Sequence, residues 1–127
     1  MELAVVVAKD KFLSATSRSL NILVKFLTDD IGFRKIDSVV EWIKNDNYSS
    51  SVLNASYLVK HKNKINIYFF YDGYGRGKNK GREKFEISKD GLINVIEKWS
   101  EHIKGPFSGL VISVENGVVN LESMMPM

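Results

Sequence analysis

The feature that most constrains this fold is a stretch of strict alternation near the middle of the chain. From residue 65 to residue 71, apolar side chains such as Ile65, Ile67 and Phe69 occupy every second position. Side chains alternate across an extended chain, so this period of two, with β-branched and aromatic residues, predicts a β-strand. Residues 53–59 repeat the pattern and predict a second strand just before it.

A tight turn over residues 62–64 separates the two predicted strands. Asn63 tolerates the positive φ that such a turn uses, so we predict an antiparallel pair. Residues 85–88 alternate as well and predict a third strand. The three strands would form a central meander over residues 52–88.

The connection over residues 73–81 holds four glycines, three cations and no aliphatic side chain. Such a segment has nothing to bury and much backbone entropy, so we expect it to project into solvent. Residues 72–84 carry five Lys/Arg against two Asp/Glu, and residues 57–64 add three lysines. Because the whole chain has a net charge of +3, the remainder carries about −3. The sequence therefore predicts a mildly acidic molecule with one basic end.

The first predicted helix follows a pair of capping residues, Thr16 and Ser17. Its apolar stripe runs over residues 20–31 at helical spacing, and Gly32 would end it.

Two further helices are predicted from capping signals. Ser38 and Glu41 have the spacing of a capping box and predict a short helix. Ser88 would cap the clearest helix, whose apolar stripe includes Trp99 and which ends at Gly105-Pro106.

The ends of the chain carry additional strand signals. Asn116-Gly117 lies between two apolar runs and predicts a hairpin over residues 109–122. Residues 3–8 form an apolar run that fits either a strand or the buried start of a helix. Residues 45–51 are polar and predict a loop.

Together these elements predict a single α+β domain over residues 1–127. Its sheet would be mostly antiparallel, built from the meander at 52–88 and the hairpin at 109–122, with helices packed on one face. The order of the strands is left open. The chain has no cysteine and no apolar run long enough for a membrane span, so we expect a soluble, cytoplasmic protein.

Patterns that carry chemistry are sparse. The glycines at 73, 75 and 77 are spaced G-x-G-x-G and precede a strand, which favours a flexible hairpin loop over a phosphate cradle. His61 and His102 are the only histidines, and a metal site needs three or four ligands. No sequence motif supports an acid–base pair of His61 with Glu86. We therefore expect no enzymatic activity, no metal site and no cofactor.

Two segments resemble a known protein family. The run I-Y-F-F-Y-D at 67–72 and the run K-F-E-I-S-K-D-G-L-I at 84–93, closing on E-K-W at 97–99, are similar to small bacterial immunity proteins that neutralise polymorphic toxins, including those of contact-dependent growth inhibition. The shared pattern is a strand, an F-x-I-S junction, and an amphipathic helix ending near a Trp.

The resemblance implies a cytoplasmic inhibitor without catalytic residues that binds one toxin domain, often over a nuclease active site. Many such inhibitors of nucleases are acidic. The basic loop of this chain therefore predicts an acidic patch on the toxin, or a contact beside its active site.

For such an inhibitor, we expect the basic end of the molecule, residues 57–64 and 72–84, to bind the partner. Its tyrosines would anchor the complex and its cations would steer association. The expected partner-binding residues are Tyr71, Tyr74, Arg76, Lys78, Lys80, Arg82, Lys60 and Lys62. The alternative is a small RNA- or DNA-binding module that uses residues 73–84, with Tyr74 stacking on a base and the cations on phosphates. The oligomeric state is left open.

Overall fold

The computed structural model describes residues 2–7, 11–31, 36–45, 48–69, 83–104 and 109–123. The secondary structure of these residues consists of strands and helices in the following chain order: β1 (Glu2–Val7), β2 (Lys11–Ala15), α1 (Arg18–Lys25), a π-helical segment (Phe26–Ile31), α2 (Ile36–Lys44), β3 (Ser50–Val52), β4 (Ser56–His61), β5 (Lys64–Phe69), β6 (Phe85–Ser88), α3 (Lys89–Lys104), β7 (Leu110–Glu115) and β8 (Val118–Ser123). The predicted α+β class is confirmed.

The first sheet has the order β2-β1-β7-β8, and every neighbouring pair in it is antiparallel. The apolar run that fitted either a strand or a helix is β1, which has a strand on each side. Ala4 and Val6 are buried on one face of β1, and Val5 lies half-buried on the other. A central strand covered in this way needs no polar alternation, which explains the ambiguity of the sequence.

The predicted C-terminal hairpin is confirmed. Glu115 pairs with Val118 across a two-residue turn. Asn116 has φ 54° and Gly117 has φ 78°, the left-handed values of a type I′ turn.

The second sheet contains the predicted meander and has the order β3-β4-β5-β6, again antiparallel throughout. In the turn between β4 and β5 the positive φ of 58° belongs to Lys62. The assignment of that conformation to Asn63 was wrong. Asn63 instead accepts a hydrogen bond at its carbonyl oxygen from the Lys89 amide, at 2.9 Å.

One strand lies where the sequence predicted a loop. Ser50–Val52 forms β3, which pairs with β4 from Ser50↔Val59 to Val52↔Tyr57. Its residues are polar or exposed, as is common for a short edge strand with solvent on one side. Backbone pairing outweighed the polar composition here.

The helices lie between the two sheets. Helix α1 contacts β1 and β2 of the first sheet and β5 and β6 of the second, and α3 contacts β8 as well as β5 and β6. Each sheet therefore has helices on one face, and helix α2 packs against α3. The buried apolar side chains of both sheets and the helices form one cluster.

The cap predictions for α1 and α3 are confirmed. The Ser17 hydroxyl accepts a hydrogen bond from the Leu20 amide at 3.1 Å, and the Ser88 hydroxyl accepts one from the Gly91 amide at 3.0 Å. Helix α2 begins at Ile36, before the predicted cap Ser38.

The end of the first helix departs from the prediction by widening into the π-helical segment. The Thr28 hydroxyl donates a hydrogen bond to the Val24 carbonyl at 2.9 Å, and this carbonyl is the acceptor that an α-helix would assign to the amide of residue 28. Side chains that bond back in this way bend helices. The predicted stop at Gly32 lies outside the described residues.

Gly91 provides a test of how tightly the start of α3 is built. A Cβ at this position would lie 2.8 Å from Ser88 Oγ and 3.1 Å from Ile87 Cγ1, so the capping serine would have to move. Helix propensity alone would make Gly91→Ala more stable by about 1 kcal/mol, whereas a weakened cap costs about 1 kcal/mol. We expect Gly91→Ala to show no gain in the free energy of unfolding by urea.

The matched control for this substitution is Asn94→Ala, on the exposed side of the same helix. It should gain a few tenths of a kcal/mol, about as much as propensity predicts. If Gly91→Ala were more stable than the wild type by the full difference in helix propensity, the added Cβ would not weaken the Ser88 cap.

Candidate partner-binding surface

The second sheet turns one face away from the helices, and this face is called the outer face below. Cross-strand partners share a face of a sheet, and the registers Val52↔Tyr57 and Tyr57↔Tyr68 place these three side chains in one row across it. The rings of Tyr57 and Tyr68 are 6.4 Å apart and tilted by 37°, within the range of favourable aromatic pairs. Val52 is 64% exposed. The row is thus aromatic and aliphatic.

A second row of the outer face is polar at its centre. It consists of Val59, Asn66 and Glu86, which are neighbours across β4, β5 and β6. Asn66 is buried, and its Oδ1 atom has no hydrogen-bond partner among the described residues. A buried amide oxygen without a partner is uncommon and costs free energy.

The charges on the outer face offset one another. Lys64 Nζ lies 3.4 Å from Glu86 Oε1, and both side chains are well exposed, at 57% and 41%. An exposed ion pair of this kind contributes about 0–1 kcal/mol to stability. Its main consequence is that the centre of the outer face is close to electrically neutral.

The same geometry bears on the suggested acid–base pair of His61 with Glu86. His61 is directly opposite Lys64, and Glu86 forms its ion pair with that lysine. The carboxylate is therefore oriented by an ammonium group, and the arrangement does not resemble a general-base dyad.

The structure separates the two lysines that were predicted to bind a partner. Lys62 is exposed in the turn between β4 and β5. Lys60 instead lies with its ammonium group 4.5 Å from the centre of the Trp42 ring and donates a hydrogen bond to the Asn45 carbonyl oxygen. These contacts occupy Lys60 within the fold, so its role in binding stays a prediction that the geometry does not favour.

The six remaining predicted residues, Tyr71, Tyr74, Arg76, Lys78, Lys80 and Arg82, lie outside the described residues. Their points of attachment are nevertheless defined. The structure describes β5 as far as Phe69 and the chain again from Glu83, whereas Lys62 precedes the opposite end of β5. The six residues of β5 span roughly 17 Å from end to end. The basic turn and the attachments of the basic loop are not brought together.

Asp30 is the one strongly buried acid among the described residues, at 4% exposure. It lies in the π-helical segment, and its Oδ1 accepts a hydrogen bond from the Ala55 amide at 2.7 Å. Burial raises the pKa of Asp30 above its ordinary value, and the nearby Ser56 hydroxyl and the Ala55 amide oppose this shift. Within the described part of the chain, the second carboxylate oxygen and Ser56 Oγ both lack a partner in hydrogen-bonding geometry.

Sequence reasoning missed Asp30, although a signal was present. Asp30 follows Leu27 by three residues and Leu23 by seven, so it occupies a helical position on the apolar stripe. A carboxylate at such a position either disrupts the core or bonds a backbone group. Here it holds the turn before β4 against the helix layer, and the Ser56 hydroxyl and the Asp29 carboxylate lie close enough to influence its charge.

The described residues contain no group of three or more His, Cys, Asp or Glu side chains placed to hold a metal ion. Within the same part of the chain, every helix is too short or too polar to cross a bilayer. Comparison with protein-family models, with curated proteins and with solved structures finds no match to this chain.

Asp30 generates a prediction about stability and pH. The folded state holds the carboxyl proton more tightly than the unfolded state, because burial raises the pKa. Its contribution to stability therefore falls as the pH rises from the ordinary Asp value, about 3.9, through the raised folded value, and is constant above that. Asp30→Asn keeps an acceptor for the Ala55 amide without the charge. We expect Asp30→Asn to be at least as stable as the wild type at pH 7 and to lack this pH dependence.

The contrasting variant is Asp30→Ala, which leaves the Ala55 amide without its acceptor. It should lose about 1–3 kcal/mol. Urea unfolding between pH 3.5 and 7.5 measures both variants. If Asp30→Asn lost as much stability as Asp30→Ala, the carboxylate would have to be charged and favourable in the fold, contrary to the direction of the pKa shift.

Proposed function

We propose that the protein is an immunity-type inhibitor that binds a cognate bacterial toxin domain, such as a nuclease, by direct protein–protein contact in the cytoplasm. The partner would be a toxin of the polymorphic or contact-dependent growth inhibition type. The observation that carries the proposal is the outer face of the second sheet, where Tyr57, Tyr68 and Val52 form an aromatic and aliphatic row away from the helices.

The composition of this row supports a protein partner. Tyrosine is enriched among the residues that dominate the energetics of protein interfaces, because its ring offers a large rigid contact area with a polar tip. The polar groups at the edges of the row, among them Glu86 and Lys64, resemble the polar rim of an interface. Function in this proposal depends on surface complementarity and uses no reacting group.

The electrostatics of the outer face favour a protein over a nucleic acid. A surface that binds phosphates needs a cluster of unopposed cations. On the outer face Lys64 is opposed by Glu86 at 3.4 Å, and Lys62 lies beyond it in the turn. The aromatic pair alone would suit base stacking, so a nucleic-acid partner is tested below as the alternative.

Part of the segment that resembles immunity proteins lies in β6 and α3. Phe85 and Ile87 are buried in β6, Ser88 caps α3, and Trp99 is buried in the body of that helix. This junction fixes β6, and with it Glu86, at the edge of the outer face. The resemblance and the candidate surface therefore involve the same sheet.

The direct test expresses the product of the reading frame beside this gene as the candidate toxin. We expect the two purified proteins to form a complex, and the toxin to lose its activity on addition of the inhibitor. Replacing Tyr57 and Tyr68 together by Ala should weaken binding at least about tenfold, since interface anchors commonly contribute about 2 kcal/mol or more. Titration calorimetry measures the affinity.

The control is Val118→Ala, which removes an apolar side chain with 57% exposure from the other sheet. It should leave the affinity unchanged. Equal affinities for the tyrosine variant and the wild type, with both folded by circular dichroism, would remove the outer face from the interface. Binding of mixed RNA with a steep dependence on salt, in place of toxin binding, would favour the nucleic-acid module.

The basic loop is tested separately. If Arg76 and Arg82 steer the partner, replacing both by Glu should slow association and leave dissociation nearly unchanged, because rim charges act mainly on the association rate. Stopped-flow kinetics at two salt concentrations measures this effect. An unchanged association rate would restrict the interface to the described sheet.

A further inference from the structure

A groove of about 310 Å³ lies between α2 and α3. It is lined by Ile36, Asp37, Val40, Glu41, Lys44 and Glu97. Five of these six residues belong to α2, and Glu97 belongs to α3. The volume is at the small end of the range for ligand pockets, about 300–1,000 Å³, so the groove has room for a few side chains.

The floor of the groove is apolar. Ile36 and Val40 are four residues apart, on one side of α2, and both are only partly buried where they pack against the core. Two adjacent helices with an exposed apolar strip between them form the surface on which a third, amphipathic helix packs. The lining residues on α2 extend along the helix from Ile36 to Lys44, which favours an elongated helical occupant.

The rim of the groove is acidic. Asp37, Glu41 and Glu97 are exposed, and none of the three has an ion-pair partner among the described residues. Among the lining residues that the structure describes, Lys44 is the one cation, so these residues carry an excess of two negative charges on a chain whose net charge is +3. Such a rim attracts a cationic partner and repels phosphate groups.

We propose that this groove docks a cationic amphipathic helix of a protein partner. The apolar side of that helix would lie on Ile36 and Val40, and its lysine or arginine side chains would pair with Asp37, Glu41 and Glu97. The proposal rests on the proposed function in taking the partner to be a protein. It adds a second contact area and the chemistry of the partner segment that occupies it.

The test uses a synthetic 14-residue helical peptide of leucine and lysine, with the leucines on one side and both ends blocked. Titration into ¹⁵N-labelled protein at low ionic strength should shift the amide signals of α2 and of the middle of α3. A peptide with glutamate in place of lysine should cause no shifts. Signals of the outer face, such as those of Tyr57 and Tyr68, should stay in place.

Two triple variants with the same change in net charge distinguish binding at the groove from attraction by the overall charge of the protein. Asp37→Asn with Glu41→Gln and Glu97→Gln neutralises the rim and should weaken peptide binding about tenfold, since exposed ion pairs contribute modestly and add up over the rim. The matched control neutralises three exposed acids elsewhere and should bind like the wild type. It combines Asp29→Asn, Glu115→Gln and Glu122→Gln.

Equal weakening by both triple variants, or shifts spread over the whole surface, would overturn the proposal in favour of nonspecific attraction. The triple variant of the groove rim could alter the sedimentation of the free protein without altering peptide binding. That result would overturn the proposal and assign the groove to contact with a second copy of the chain. The toxin assay separates this proposal from the previous one. The triple variant of the groove rim could bind the toxin like the wild type while the double alanine variant of Tyr57 and Tyr68 does not. That result would support the outer face as an interface and reject the groove.

Discussion

The structure depends on the burial of one layer of helices from two sides. Helix α1 and the segment after it have buried side chains on more than one stripe, including Ile22 and Phe26 in addition to Leu20, Leu23 and Leu27. A helix that is apolar on most of its circumference is stable only where it is enclosed. Two sheets, one on each side, supply that enclosure. Each fully buried large apolar side chain contributes about 1.5–3 kcal/mol, so this layer is the main source of cohesion.

The same arrangement leaves each sheet with one face turned away from the core. In the first sheet that face carries half-buried Val5 and Val111 and exposed Leu3. In the second sheet it carries the tyrosine pair. Because the inner faces pack against the helices, the described parts that are accessible to a partner are the outer faces, the turns and the uncovered surfaces of the helices. The outer face of the second sheet and the groove beside α2 are two such places, with different chemistry.

Hydrogen bonds of polar side chains join separate elements of the fold. Asp30 bonds the Ala55 amide and thereby holds the turn before β4. His102 Nδ1 lies 2.5 Å from Ser123 Oγ, between α3 and the end of β8. Ser19 donates a hydrogen bond to the Lys84 carbonyl at 2.7 Å, between α1 and the start of β6. The Asp30 bond is buried and the other two are exposed, and all three connect segments that are far apart in the sequence.

Local patterns in the sequence were sufficient for most of the elements and for the α+β class. Alternation identified the meander, Asn116-Gly117 identified the C-terminal hairpin, and Ser17 and Ser88 identified two helix starts. These signals depend on steric and hydrogen-bonding preferences within a few residues, so they can be evaluated without the rest of the chain. The candidate site was only partly accessible in this way, because Lys60 and Lys62 look equivalent in sequence and have different surroundings in the fold.

Tertiary structure alone decided how the strands are divided between two sheets, since pairing such as β1 with β7 joins residues more than a hundred positions apart. It also decided the left-handed turn at Lys62, the inward direction of Asp30 and the meeting of Asp37 with Glu97 at one groove. The physical reason is the same in each case. Burial and long-range pairing depend on which surfaces meet, and a local pattern specifies which side of an element is apolar without specifying what will cover it.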